Sequence, residues 1–152
     1  RKTEAAHFEV QDRPRRTPIS FARLEKAFED AAIRQEAEIE KAIVWLRKAP
    51  FAKSLGERFR VGWGNRLEHQ LGRYLPVVVE AGGSVGEAMD HLLVTKVLRK
   101  LKDRHDVRAA ALEELREQLL GHWGKLDPEH GPERCEALIE NEISMKKGEE
   151  LV

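Results

Sequence analysis

Cysteine, aromatic residues and any surplus of charge are what this sequence has little of. Its single cysteine, Cys135, excludes an internal disulfide framework and suits a reducing cytoplasm. Aromatic residues make up 6% of the 152 positions against 36% charged ones, a balance that suits solvated amphipathic helices better than β-sheet. Lysine and arginine total 27, as do aspartate and glutamate, so no overall field favours nucleic acid or an acidic membrane. No apolar run approaches the ~18 residues that span a bilayer, and no signal-peptide pattern is visible. The chain opens on Arg1 rather than methionine, so a piece of a longer polypeptide is expected.

Signatures of stand-alone catalysis are missing too. There is no G-x-x-x-x-G-K-[ST], hence no P-loop to cradle a nucleotide's phosphates; the glycine-rich Gly82–Gly86 has no lysine behind it. His7, His69, His91, His105, His122 and His130 show neither H-E-x-x-H nor zinc-type spacing with Cys135. Asp90-His91 with Glu87 one turn earlier is at most a weak metal grouping, and no metal site is expected. Cys135 lies on an apolar helix face, which suits core filling rather than a nucleophile. The isolated chain is expected to hydrolyse nothing.

What is present is helical pattern. Residues 1–18 stand apart, with a short extended segment at Ala5–Val10 and a basic, proline-punctuated link carrying Arg13, Arg15 and Arg16. From Ile19 to Ala49 the stripe Phe21, Leu24, Phe28, Ala31/Ala32, Ile39, Ile43 and Leu46 predicts a buried helix face, with a possible break at Arg34-Gln35-Glu36 and a stop at Pro50. Phe51–Trp63 reads as a loop. A helix from Asn65 carries Leu67, Leu71 and Tyr74/Leu75, and Pro76 predicts a kink or an end near Tyr74. Ser84 with Glu87 is a capping box that starts a helix at Val85, with Val85, Ala88/Met89, Leu92/Leu93, Val97 and Leu101 inward. Its basic end (Lys96, Arg99, Lys100, Lys102 and Arg104) suits the helix dipole and is also the best candidate for anion or nucleic-acid contacts, although no aromatics interleave with it. Asp106 is expected to cap the next helix and Gly121 to end it, with Trp123 plugging the core; a last helix follows Gly131-Pro132 and ends at Gly148. The sum is an all-α bundle of four to six helices over residues 19–148, with 149–152 as a tail.

One stretch suggests chemistry. In Phe59–Leu71, Gly62 and Gly64 allow positive φ or a close backbone approach, and Arg66 falls in the first turn of the following helix. The positive end of the helix dipole disfavours a cation there, unless an anion such as phosphate shares the site. A solvated arginine after a glycine turn is the alternative.

Trp63-Gly64-Asn65-Arg66, together with Glu87–His91 and Val97–Leu101, resembles the C-terminal helical lid of AAA+ ATPases of the McrB type, the motor subunits of modification-dependent restriction systems. The resemblance covers about half the chain. It implies that Arg66 is a sensor-2 arginine, flanked by Gly64 and Trp63, that meets the γ-phosphate of ATP or GTP with Mg held by a core outside this chain. It also implies that residues 1–18 hand over from the last strand of that core, and that the partners are the core and the neighbouring subunits of a ring, a hexamer by resemblance. Nucleic acid would be reached only through the whole complex. The competing expectation is a stand-alone helical interaction or assembly module in which Arg66 has no special task.

Overall fold

The computed structural model describes residues 18–152, and every regular element among them is helical. The expected strand at Ala5–Val10 and the arginines of the link lie outside the described residues. Helix α1 (Phe21–Arg34) starts on Ser20, whose hydroxyl accepts the Arg23 N–H at 3.2 Å. The break expected near Gln35 is there, at φ −102° and ψ 17°, and α2 (Glu36–Lys48) follows.

Pro50 ends α2 and immediately opens α3 (Pro50–Glu57). At the first helical position its missing N–H has no partner to lose, and its fixed φ is already helical. Half of the expected loop over 51–63 is therefore helix, burying Phe51 and Leu55. This element takes the α-helix count among the described residues to seven, one more than the pattern predicted.

Helix α4 (Asn65–Glu80) begins where expected and does not end near Tyr74: it continues past Pro76 to Glu80. Leu71, Leu75 and Pro76 are all buried, so tertiary packing at and before the proline holds the helix across the lost hydrogen bond. Its end is a Schellman motif: Gly83 N–H donates to the Val78 carbonyl at 2.9 Å and Gly82 N–H to Val79 at 3.0 Å. Gly82 has φ +92°, and a Cβ on Gly83 would sit 2.7 Å from Val78 Cγ1, so both glycines are required.

The capping box is present at α5 (Val85–Leu92), with Ser84 and Glu87 exchanging both bonds. The helix expected beyond Leu92 changes pitch: Leu93–Val97 is a π turn and Leu98–Leu101 a 3₁₀ turn. Thr95 Oγ1 donates back to the His91 carbonyl at 2.8 Å inside the widened turn. The inward set Met89, Leu92, Leu93, Val97 and Leu101 is buried as predicted.

Asp106 does not cap α6. It pairs with Arg104 (Nε–Oδ1 2.9 Å), and α6 spans Ala109–Trp123 with its first N–H accepted by Glu150 of α7 at 3.1 Å. Gly121 does not end that helix either, because the chain stays helical long enough to bury Trp123, whose Nε1 donates to the His130 carbonyl at 2.7 Å. Helix α7 (Glu133–Glu150) likewise continues past Gly148. Its second and third N–H groups, of Arg134 and Cys135, donate to the buried carboxylate of Asp90 at 2.9 and 2.8 Å. Cys135 is fully buried and burial pushes its thiol up, as expected of a core residue.

The core runs between α2, α3, α4, α5, α6 and α7. Trp45 anchors one end, stacked on His122 at 5.3 Å and edge-on to Trp123 at 5.4 Å. The outlier is α1. Its predicted buried stripe is largely uncovered, with Phe21 78% exposed, Leu24 42% and Phe28 48%. No helix among the described residues is long and apolar enough to cross a membrane.

Candidate anion-binding site

Packing of α4 against α5 and the turns after it brings together two groups of residues that are 30 or more positions apart in sequence. Gly62, Trp63, Gly64 and Arg66 form one side of a hollow of about 390 Å³; Lys96 from the π turn and Lys100 from the 3₁₀ turn form the other. Leu67 and Gln70, the latter one helical turn beyond Arg66, complete it. Arg66, Lys96 and Lys100 are exposed, and among the described residues none of them makes an ion pair. Lys100 Nζ reaches only the Gly62 carbonyl, at 3.5 Å. No carboxylate lines the hollow.

This sets Arg66 apart from the arginines that tie one helix to another. Arg34 grips Glu80 at 3.2 and 3.0 Å, and Arg47 grips Glu68 at 2.7 and 2.6 Å. These pairs hold both carboxyls below their usual range: Glu68 by the Arg47 hydrogen bond, Glu80 by those from Arg34 and Gln35. The arginines that brace the fold are thus paired, whereas three cations at the start of α4 are not.

Gly64 is the N-cap of α4, with φ −98° and no side chain to offer, and no other side chain accepts an N–H of that first turn among the described residues. Bare amide donors therefore join the three cations. The glycines play a different part from the one expected. Neither Gly62 nor Gly64 is in the left-handed region, where Arg60 (φ +54°) sits instead. A Cβ on either would meet nothing within 4 Å, so their effect is to leave backbone uncovered beside the hollow. Trp63 is half-buried against the core and presents its remaining surface to the hollow.

Of the basic run, Lys96 and Lys100 reach the hollow, while Arg99 and Lys102 do not line it. Nothing in its sequence context marks Gln70 except the i,i+4 spacing from Arg66. The donor set fits phosphate oxygens, with a planar arginine fork and two ammonium groups. It offers no carboxylate to Mg²⁺, which takes oxygen ligands, and no grouping of three metal-ligating side chains occurs among the described residues.

A larger cavity adjoins the hollow. An apolar groove of about 910 Å³ runs between α1, α4 and the end of α5, with the uncovered Phe21, Leu24 and Phe28 along one wall. Gln70 and Lys96 line both cavities, so the two share a partition. Comparison of the chain with protein-family models, with curated proteins and with solved structures yields no match.

Proposed function

We propose that this domain binds the phosphate groups of a nucleoside triphosphate, as the C-terminal lid of an AAA+ NTPase similar to the McrB type. The observation that carries the proposal is the convergence of unpaired Arg66, Lys96 and Lys100 on the uncapped start of α4. In this reading a core outside the chain holds ATP or GTP with its Mg²⁺, and Arg66 closes on the γ-phosphate from the lid side. Its fork stabilises the charge that spreads over the transferring phosphoryl oxygens, while the two lysines act as point charges. Phosphate contact at Arg66 then becomes rotation of the lid as one body. The core and the neighbouring ring subunits are the partners of this reading. Restriction of modified nucleic acid, as in phage defence, is the activity of the whole assembly.

Calorimetric titration of the chain with inorganic tripolyphosphate tests it. Arg66→Ala is expected to weaken binding about tenfold, the worth of one charge-assisted pair, with unchanged helical circular dichroism. In an assembled motor the same change is expected to cut hydrolysis. Binding that is indifferent to Arg66→Ala makes Arg66 a solvated side chain.

A second reading has its own observation. The uncovered stripe on α1 favours a helical interaction module that docks a partner along the groove.

A further inference from the structure

The walls of the groove carry charge of opposite sign. On α1, Glu25 and Glu29 flank the apolar stripe; across the opening stand Arg73 of α4 and Lys96 of the π turn. None of these four makes an ion pair among the described residues, whereas Arg34, Arg47 and Arg58 and the glutamates they meet do. Between them the floor is apolar, with Leu24, Phe28, Val77 and Leu92. The ridges Phe21, Leu24 and Phe28 on α1 and Gln70, Arg73 and Val77 on α4, each at i, i+3 and i+7 spacing, are the surface into which a third helix packs.

We propose that the groove docks an amphipathic helix of a partner protein, apolar on one face, with basic residues along one flank and acidic residues along the other. The basic flank lies against Glu25 and Glu29, the acidic flank against Arg73 and Lys96. An acyl chain with a single acidic head answers one rim and leaves the other unmatched. A second copy paired antiparallel through α1 sets Glu25 and Glu29 against their own equivalents, which is repulsive. The residues of α1 that line the groove, Phe21 to Ala32, rise by about 18 Å, enough for roughly three turns of the guest. This proposal rests on the interaction reading and is independent of phosphate binding, although Lys96 serves both cavities.

The test uses three designed peptides of about 18 residues sharing one leucine face: one with split flanks, one with lysine on both and one with glutamate on both. Fluorescence anisotropy with the 152-residue chain is expected to show the split-flank peptide binding about tenfold more tightly than either uniform one. With Arg73→Glu and Lys96→Glu combined, both rims are acidic and the preference is expected to pass to the all-lysine peptide. Phe28→Glu, at a position already half exposed, is expected to abolish binding while helix content and tripolyphosphate affinity stay unchanged; Leu24→Glu serves as the second variant. Equal binding of all three peptides overturns the charge-matched helix and leaves an apolar docking face. No binding at about 100 μM overturns the interaction reading as well. Binding that survives both Phe28→Glu and Leu24→Glu places the peptide elsewhere and also overturns the proposal.

Discussion

At Asp127 one carboxylate gathers N–H groups from Gly86, Glu129 and His130, at 3.0, 3.1 and 3.1 Å. Burial pushes its pKa up, but the Ser84 hydroxyl and those three amides outweigh burial and hold it down to about 2. A carboxyl depressed from 3.8 gives stability that is complete above 3.8 and lost as pH falls through about 2, roughly 2 kcal/mol in all. Asp127→Asn is therefore expected to lower unfolding free energy at pH 7 by roughly 1–3 kcal/mol in urea, and to flatten the acid limb of the stability profile. Gly86→Ala strikes the same contact, since its Cβ would lie 2.6 Å from Asp127 Oδ2, and it is expected to destabilise by roughly 1–3 kcal/mol. Gly64→Ala is the contrast: the fold accommodates it, and its effect is expected in tripolyphosphate affinity rather than in urea. Sequence alone ranks Gly64 above Gly86, because the glycines beside Arg66 look purposeful and the packing of residue 127 on residue 86 is invisible.

Among the elements, the start of α5 was legible to the residue, because a capping box is a local exchange between neighbours, whereas its change of pitch after Leu92 was not. Helix α4 was legible at its start and not at its middle. Pro76→Ala restores a backbone donor one turn after Gly72, worth up to about 3 kcal/mol, and gives up a buried ring worth about 2. A net gain of about 1 kcal/mol is expected, read as a rise in Tm. The expected ends at Gly121 and Gly148, and the expected cap at Asp106, failed for one reason: distant side chains override the local signal. Glu150 does the capping assigned to Asp106, and the burial of Trp123 carries the chain past Gly121. The hollow was half legible in the same sense. Arg66 and the basic run were each visible, but only the packing of α4 on α5 selects Lys96 and Lys100 and leaves out Arg99 and Lys102.

For the whole molecule, acid acts in two stages. Burial first, then Lys125, lowers the His122 pKa below 6.5, so the folded state resists its protonation. That contribution is intact above pH 6.5 and is lost as pH falls from there, where the unfolded chain takes up the proton first. Stability measured by urea is thus expected to be level at neutral pH, to bend downward below about 6.5, and to fall again through the carboxylate range. His122→Gln is expected to remove the first bend and keep the second. The helix ends bear on a different matter, the order in which the chain acquires its shape. Asp127 closes the start of α5, Asp90 on α5 closes that of α7, and Glu150 on α7 closes that of α6, each from 41 to 45 positions away. A peptide of the 18 residues of α7 therefore has no lid for its own first turn and is expected to be unstructured in isolation. Helix α5 has its own capping box, but α6 and α7 take their caps from residues 41 to 45 positions away, so these two ends close only once distant parts of the chain have met.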